Sequence, residues 1–471
     1  MTEARKAVSR RTAIAIAAGG LTAACVPLAG LMRPPLANHP DYRGALGAAL
    51  RDLDIAAVYR KRGYAPLWLD RDGAMTAVGS QALAAVSRAG DYDISLERIA
   101  AVQQLAAAGH KTPAEAGQLE GGLSRLVGYL GAALQDAPEE HDLLWTTSNR
   151  GRPRASPGRI IQDIAETEAR EKGLTDVLSV HPLLDALAVA VKSSGMGLTS
   201  PVVPRARNGS PEPASNTRTL KLNLARLRAL PALPGPRHVV VNTASATLYA
   251  YEDRQVVKTM RVVVGAPQTA TPMMAGAIEY AILNPYWNIP QDLLRKRIAP
   301  AVLQNGVAAL DGRRLEALSD WSESARRLDP AGLDWHAIAA GALRVRVRQK
   351  PGPDNMMGRV KFMLPNDLGI YLHDTPDQRL FARPDRAFSA GCVRLEDPQG
   401  LFEWLFNRPL GTVADGTAEQ PVPLRRPVPI YLIYQTSTAS KARAVEFWPD
   451  IYGRDASESR SHRRRLQGRT I

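Results

Sequence analysis

Residues 369–395 read GIYLHDTPDQRLFARPDRAFSAGCVRL, and the interpretation of the whole chain starts from this stretch. The apolar run that ends at His373 is typical of a β-strand, and at the strand end the imidazole ring can face a cleft. Cys392 follows Gly391, whose lack of a side chain lets the backbone approach a bound molecule closely. Arg394 adds a permanent positive charge two residues further on. The stretch therefore predicts that a strand and a turn bring a thiol and an imidazole together.

A thiol with an imidazole and a guanidinium nearby is an arrangement that activates cysteine as a nucleophile. Because positive neighbours favour the thiolate, we expect a lowered pKa for Cys392, with His373 as its base. The backbone N–H groups of Gly391 and Cys392 are candidate oxyanion-hole donors, each of which typically contributes ~3 kcal/mol to transition-state stabilisation. A single His–Cys spacing is weak evidence by itself, because such spacings recur by chance.

From residue 236 onward the sequence has the two-residue periodicity of β-strands. The predicted strands are His238–Asn242, Ala246–Tyr251, Val256–Val264, Ile278–Leu283, Lys361–Leu364, Gly369–Leu372 and Val428–Tyr434. Residues 291–358 replace this periodicity with helical and loop segments, which predicts an insertion. Leu401–Phe406 is predicted to be a short helix.

The stretch from 369 to 395 resembles the signature of the YkuD-type L,D-transpeptidases, a His-Gly/Asp-Thr strand end followed by a Ser/Thr-x-Gly-Cys-x-Arg turn. The resemblance covers residues 236–453. Its other landmarks include Val263-Val264-Gly265, Thr271-Pro272, Asn284–Pro290, Gly358–Phe362 and Pro365-Asn366. The larger, lid-carrying YcbB-like branch fits best, because the N-terminal half has similar segments at Tyr59–Trp68 and Asn223–Arg228.

This resemblance implies an α+β protein. A mostly β catalytic domain, a YkuD-like sandwich or barrel at 236–453, would carry an inserted helical lid at about 291–358. An all-helical scaffold domain at 41–235 would precede it. On composition, residues 33–40 are expected to form an extended linker and residues 454–471 a basic, disordered tail.

The resemblance also assigns roles to residues. Cys392 becomes the nucleophile and His373 its base, Gly391 and Cys392 supply oxyanion donors, and Arg394 contacts substrate. The other residues placed at or near the site are Ser389, Asp374, Thr375, Tyr371, Tyr286 and Trp287. For the three aromatic residues, cleft wall and core packing remain open alternatives. The oxygen that orients His373 is also left open.

The implied reaction forms 3–3 cross-links between peptidoglycan stem peptides. A donor tetrapeptide would acylate Cys392 and release D-Ala, and an acceptor amine would resolve the thioester. An L,D-carboxypeptidase, attachment of a lipoprotein to the wall by the same site, and a catalytically silent wall-binding scaffold are the alternatives. Carbapenem-type β-lactams are implied inhibitors.

Two departures from the family pattern bear on function. Many members have His just before the Gly-Cys pair, but here Ala390 excludes a second catalytic His at that position. Residues 192–220 are too few for a peptidoglycan-binding repeat. Wall targeting is then expected to depend on the basic charge or on the helical domain.

Residues 41 to about 230 have helical periodicity, with apolar residues at three- and four-residue steps. The predicted helices include Leu83–Val86, Leu119–Leu134, Ile160–Ala169, Leu183–Val191 and Leu220–Leu230. A loop rich in Pro, Gly and Ser at 200–215 separates the last two.

The 471-residue chain has a formal net charge of +14, which suits an anionic partner such as wall polymer or anionic lipid. It has no zinc-finger spacing or RNP-like motif, so nucleic acid is not expected. Its 8 histidines are scattered singly, and it has no phosphate loop or GxGxxG, so we expect no metal and no cofactor.

Residues 1–32 are predicted to be an export signal, because a basic start with Arg10-Arg11 precedes the apolar Thr12–Ala24. Cleavage, lipidation of Cys25 and retention as an anchor all remain open, as does the Tat or Sec route. The expected location is the periplasm or cell envelope, with possible membrane association. If Cys25 is cleaved off or lipidated, Cys392 has no disulfide partner, and an unpaired thiol in an oxidising compartment calls for a functional explanation.

Overall fold

The computed structural model describes residues 35–51, 54–109, 111–135, 143–146, 155–195, 213–232, 234–411 and 417–456. A helical N-terminal region precedes a strand-rich C-terminal region, as the sequence predicts. The predicted export signal, most of the predicted loop at 200–215, and residues 457–471 of the predicted tail lie outside the described residues.

The helical region is built around one long buried helix. Its elements are α1 (Pro40–Ala49), α2 (Ile55–Lys61), α3 (Ala77–Ser87), α4 (Ile99–Ala107), α5 (Pro113–Leu134), β1 (Leu144–Trp145), α6 (Pro157–Glu166), α7 (Arg170–Leu178), α8 (Pro182–Ser193) and α9 (Pro213–Leu227). A capping box between Thr112 and Glu115 starts α5, and Pro113 occupies its first turn. Helices α1 and α6 pack on α5, which is therefore the centre of this region.

A buried carboxylate explains the segment Tyr59–Trp68 that was noted in the sequence. Glu120 of α5 is fully buried and accepts hydrogen bonds from the Tyr59 hydroxyl at 2.5 Å and from the backbone N–H of Leu67 at 2.5 Å. The Trp68 indole N–H donates to Ser124, one turn further along α5, at 2.7 Å. These contacts fasten the loop after α2 to the central helix.

The helical region contains one two-residue strand, β1, which pairs in parallel with residues 274–275 of the strand-rich region. One expectation for the N-terminal half is wrong. Residues 35–40 are not an extended linker, because Leu36 is buried in the helical core and α1 already begins at Pro40. The His39 side chain caps α1 by accepting from the Asp41 N–H at 3.3 Å.

The strand-rich region begins with β2 (Arg237–Asn242), β3 (Thr247–Glu252), β4 (Gln255–Gly265) and β5 (Met274–Leu283). After an insertion it continues with β10 (Val360–Met363), β11 (Leu372–His373), β12 (Ala387–Ser389), β13 (Val393–Leu395), α14 (Pro398–Phe406), β14 (Gln420–Ile433), β15 (Ser437–Ala439) and β16 (Val445–Phe447). Neighbouring strands run β5-β10-β11-β13-β4-β3-β2-β14, and β14 also pairs with β5. The sheet therefore closes into a barrel, whose interior is a cluster of buried apolar side chains.

The insertion between β5 and β10 is a small α/β unit rather than the predicted helical lid. It comprises β6 (Trp287–Asn288), α10 (Gln291–Leu293), α11 (Ala299–Asn305), α12 (Ala308–Asp311), β7 (Leu315–Leu318), β8 (Arg327–Leu328), α13 (Trp335–Ala340) and β9 (Arg346–Gln349). Its strands form a separate sheet in the order β6-β9-β7-β8, and its helices cover an apolar core of their own. At its base, the Asn355 side chain donates to the carbonyl oxygens of Pro285 and Lys350.

Helix α9 joins the helical region to the barrel and explains the second segment noted in the sequence. The Asn223 side chain accepts from the backbone N–H of Thr436 at 2.8 Å and donates to its hydroxyl at 2.9 Å. Arg226 is fully buried and forms an ion pair with Asp455 at 2.7 Å. Asp455 lies in the predicted tail, so that tail is packed against the fold at its start.

A second contact between the two regions is a buried histidine pair. His181, the N-cap of α8, and His238 of β2 approach to 3.1 Å between their Nε2 atoms. Burial lowers the pKa of His238 to about 4. Burial likewise lowers the pKa of His181, and because one ring must donate and the other accept, the contact excludes a pair in which both rings are protonated.

Within the described residues, no single helix has the length and apolar composition needed to cross a bilayer. Only α7 and α8 counted together, across a bend of 77°, reach those criteria.

Candidate active site

The predicted thiol and imidazole lie on neighbouring strands. Strands β11 and β13 pair in parallel, with Leu372 opposite Val393 and His373 opposite Arg394. Cys392 is the residue immediately before β13 and is half-buried. The pairing therefore brings the end of the His373 strand beside the turn that carries Cys392.

A backbone carbonyl orients His373. The ring is 2% exposed, and its Nδ1 lies 2.6 Å from the carbonyl oxygen of Asp374. A carbonyl can only accept, so Nδ1 carries the proton and Nε2 keeps its lone pair. The Asp374 carboxylate instead accepts from the backbone N–H groups of Arg359 at 2.8 Å and Thr375 at 2.7 Å. Gly358 must remain small, because its φ is +60° and a Cβ there would lie 2.3 Å from the Asp374 carboxyl carbon.

The turn before Cys392 is held by its own hydrogen bonds. The Ser389 hydroxyl donates to the carbonyl of Cys392 at 2.5 Å and accepts from the N–H of Gly391 at 3.1 Å. Gly391 has a φ of +116°, which favours glycine. Its carbonyl accepts from the buried hydroxyl of Thr271 at 2.8 Å. The Gly391 N–H is thus already engaged, which leaves the Cys392 N–H as the better placed of the two expected oxyanion donors.

The expectation of a lowered pKa for Cys392 is wrong. Burial raises the pKa of the thiol, and hydrogen bonding from Tyr371 and the charge of Arg394 oppose this increase without overcoming it. Burial also lowers the pKa of His373 to about 3, and Arg394 adds to this effect. The resting site therefore holds a neutral thiol beside a neutral imidazole.

Two cations flank His373 on the adjoining strands. Arg394 is its neighbour on β13, and Lys361 is its neighbour on β10. Lys361 forms an ion pair with Glu419 at 3.5 Å. The buried Nε of Arg394 has no hydrogen-bond partner among the described residues.

The three predicted aromatic residues have different surroundings. Tyr371 hydrogen-bonds to Cys392, and its ring centroid is 5.8 Å from that of His373. Tyr286 lies at the base of the insertion, where the guanidinium of Arg348 is 3.6 Å from its ring centroid. Trp287 packs against the apolar core of the insertion, so core packing describes it better than a cleft wall.

Sequence reasoning assigned no role to Thr271, Lys361 or Glu419. The family landmark Thr271-Pro272 is the sequence feature that points to Thr271, whose hydroxyl is buried. Lys361 lies in the landmark Gly358–Phe362, whereas Glu419 carried no signal, because strands far apart in sequence bring the two residues together.

The region that contains Cys392 and His373 is a catalytic domain of the L,D-transpeptidase class. Residues 236–430 match the L,D-transpeptidase catalytic domain of the YkuD family. Residues 53–190 match the family described as Scaffold domain. The chain therefore contains a YkuD L,D-transpeptidase catalytic domain preceded by a scaffold domain, as its resemblances imply.

A Haemophilus influenzae protein described as "Putative L,D-transpeptidase" is 32% identical over 253 residues, which cover 51% of this chain and 48% of that protein. The chain thus matches about half the length of this relative. An L,D-transpeptidase from Mycobacterium smegmatis has a TM-score of 0.21 and 13% identity over 42% of this chain and 58% of that chain. The LD transpeptidase LdtMt1 in complex with imipenem has a TM-score of 0.21 and 12% identity over 42% of this chain and 59% of that chain.

Proposed function

We propose that this protein is a peptidoglycan L,D-transpeptidase that forms 3–3 cross-links through a thioester at Cys392. The observation that carries the proposal is the pairing of β11 with β13. It places His373, with an unprotonated Nε2, beside the turn that holds the thiol. The matched catalytic domain supports the reaction class.

In the acylation step, His373 Nε2 takes the thiol proton as the sulfur attacks the carbonyl carbon of the third residue of a donor tetrapeptide. The developing oxyanion accepts from the Cys392 N–H. When the bond to the terminal D-Ala breaks, the imidazolium returns its proton to the leaving amine. The products are a thioester and free D-Ala.

In the second step an acceptor amine, supplied by the side chain of a diamino acid on another stem, attacks the thioester carbonyl. His373 accepts a proton from the amine and returns it to the departing sulfur. The α/β insertion at 287–349 is proposed to limit access of water to the thioester and so to favour the amine.

Arg394 is proposed to bind the terminal carboxylate of the donor stem. Its guanidinium carries a permanent charge beside His373, and a carboxylate would form a charge-assisted hydrogen bond with it. A carbapenem presents a comparable carboxylate next to a strained carbonyl. Acylation of Cys392 by carbapenems follows as part of the same proposal.

The location of this activity is proposed to be the cell envelope, where its substrate lies. The motivation is the predicted export signal at 1–32 and the formal net charge of +14. Expression of the full chain fused to a reporter that is active only outside the cytoplasm tests this placement. A reporter that stayed inactive would contradict it.

The function is tested by incubating the full chain with disaccharide tetrapeptides and analysing the muropeptides by mass spectrometry. Release of D-Ala with 3–3 dimers is expected, and both should be abolished in Cys392→Ala. Tripeptides without dimers would favour an L,D-carboxypeptidase. No D-Ala release from the folded wild-type protein would favour a silent wall-binding scaffold.

A further inference from the structure

The segment Asp450–Asp455, which follows the last strand, contacts Thr271, the residue whose side chain bonds to the turn before Cys392. The Tyr452 hydroxyl donates to the carbonyl of Gly265 at 2.8 Å and accepts from the N–H of Thr271 at 3.4 Å. The Arg454 guanidinium donates to the carbonyl of Thr271 at 3.1 Å. The N–H and the carbonyl of Thr271 are thus both bonded to this segment.

Thr271 connects this segment to the turn that carries Cys392. Its side chain is fully buried, accepts from the N–H of Gly265 at 2.9 Å and donates to the carbonyl of Gly391 at 2.8 Å. The peptide group between Gly391 and Cys392 is planar, so its N–H points away from its carbonyl. Fixing the Gly391 carbonyl therefore fixes the direction of the Cys392 N–H.

The segment is itself anchored to the fold. The Tyr434 hydroxyl donates to Asp450 at 2.6 Å and accepts from the N–H of Tyr452 at 3.0 Å. The rings of Tyr434 and Tyr452 stack with centroids 5.3 Å apart. These contacts fix the position of the Tyr452 ring and therefore that of its hydroxyl.

We propose that Tyr452 and Arg454 are positioning residues for the transpeptidase reaction, which act through Thr271 to aim the Cys392 N–H at the developing oxyanion. The inference rests on the proposed function, because it assumes that this N–H stabilises the oxyanion. Both residues lie outside the stretch 236–430 that matches the catalytic domain.

The test compares Tyr452→Phe with the wild-type full chain in acylation by imipenem, followed by stopped-flow fluorescence and intact mass spectrometry. The substitution keeps the stacked ring and removes only the hydroxyl. We expect the acylation rate constant to fall about tenfold, less than the 10²–10³-fold typical for outright loss of an oxyanion donor, while the constant for initial binding is unchanged. Thr271→Val should produce a similar loss, and Thr271→Ser, which keeps the hydroxyl, should restore most of the rate.

Alkylation by iodoacetamide separates positioning from general damage, because it requires the thiolate but no oxyanion hole. Its rate should be equal in Tyr452→Phe and the wild type. Thr438→Val is the matched control: it removes the hydroxyl that accepts from the Trp448 indole at 2.9 Å in the same C-terminal part, without contact to Thr271. Both acylation and alkylation should be unchanged in this control.

Each result has one meaning. Wild-type acylation rates in Tyr452→Phe, or an equal loss of alkylation and acylation, would overturn the positioning role while leaving the proposed function intact. A folded wild-type protein that imipenem does not acylate, and that releases no D-Ala, would overturn the proposed function and the positioning role together.

Discussion

At the scale of single residues, two opposing effects act on the thiol of Cys392. Positive charge nearby favours the thiolate, whereas removal from water disfavours it. Burial is the larger effect here, and it acts in the same way on His373, whose charged form is also disfavoured. Under the proposed function, we therefore expect the proton to move from sulfur to nitrogen during the attack rather than before it.

The first prediction concerns the pKa of the thiol. The pH dependence of alkylation by iodoacetamide, read by intact mass spectrometry, should have its midpoint above the ~8.5 of an ordinary cysteine. Arg394→Gln should raise the midpoint further, because it removes a charge that favours the thiolate. Arg326→Gln, on an exposed hairpin of the insertion, is the control and should leave it unchanged. A midpoint below 7 would instead indicate a preformed thiolate–imidazolium pair.

The second prediction concerns His373 as a base. Because its pKa is lowered to about 3, the imidazole should stay neutral and able to accept a proton throughout the range from pH 4 to 8. The imipenem acylation rate should therefore show no inflection near pH 6.5, the ordinary pKa of histidine. A tenfold loss of rate for each pH unit below 6.5 would contradict this assignment.

Sequence reasoning could pair Cys392 with His373 because both lie in one short signature. It could not predict the raised pKa of the thiol, which depends on how much of the barrel covers Cys392. It could not identify the Asp374 carbonyl as the group that orients the base, because every residue carries a carbonyl. Such features arise only when the strands are assembled.

At the scale of elements, the central helix α5 carries a titratable group without a direct part in the proposed reaction. Burial raises the pKa of Glu120 to about 7, against the opposing hydrogen bonds from Leu67, Tyr59 and Trp68. The folded state therefore binds this proton more tightly than the unfolded state. The corresponding stability is present below the unfolded pKa of about 4.5 and is lost as the pH rises through 7.

The third prediction follows from this linkage. Relative to Glu120→Gln, the wild type should lose ~3 kcal/mol of unfolding free energy between pH 4.5 and 7, at about 1.4 kcal/mol per pKa unit. Urea unfolding at several pH values measures the difference between the two proteins. Glu97→Gln, an exposed residue of the same region, should follow the wild type. Parallel curves for the wild type and Glu120→Gln would contradict the raised pKa.

The fourth prediction concerns the insertion. Asn288 and Arg348 are directly paired on β6 and β9, so a two-residue Asn-Gly turn can join them and replace residues 289–347. Under the proposed function, the shortened protein should form fewer cross-links and more hydrolysed tripeptides. Trp321→Ser, which alters an aromatic residue that is 59% exposed but keeps the insertion, is the control. An unchanged product ratio in a folded, shortened protein would contradict water exclusion by the insertion.

The longer elements of this fold and the presence of an insertion were predictable, but the sheet within the insertion was not. Strands such as β4 and β5 have enough residues for alternation to be visible. The strands β6 and β8 have two residues each, which is too short for any periodicity. The strands β7 and β9 have four residues each, the lower limit for recognising alternation, and the sheet was missed.

At the scale of the whole molecule, helix α9 and the segment that contains Asp455 hold the helical region and the barrel together. The buried Arg226 forms its ion pair with Asp455 and lies over the Tyr434 ring, 5.3 Å from the centroid. Removing one partner of a buried pair leaves the other charge without compensation. The segment Asn223–Arg228, recognised in the sequence only by resemblance, therefore has a structural explanation.

The fifth prediction tests this connection. Arg226→Met should lower the unfolding free energy by about 3 kcal/mol, measured by urea unfolding of the full chain at pH 7. Arg228→Met is the control, because Arg228 contacts the backbone of Tyr92 within the helical region, and a smaller loss is expected. An equal loss in both variants would mean that the pair with Asp455 contributes nothing specific.

The closure of the barrel by β14 has a consequence for how the protein is made. Ile430 pairs with Val239 on one side and with Gly276 on the other, so the last long strand must find two partners that were synthesised far earlier. Contacts between such distant segments slow folding. Until they form, β2 and β5 expose open edges on which another chain can add a strand. A chain interrupted between residues 395 and 420 would contain Cys392 and His373 but lack the closing strand, and its open strand edges would be exposed to aggregation.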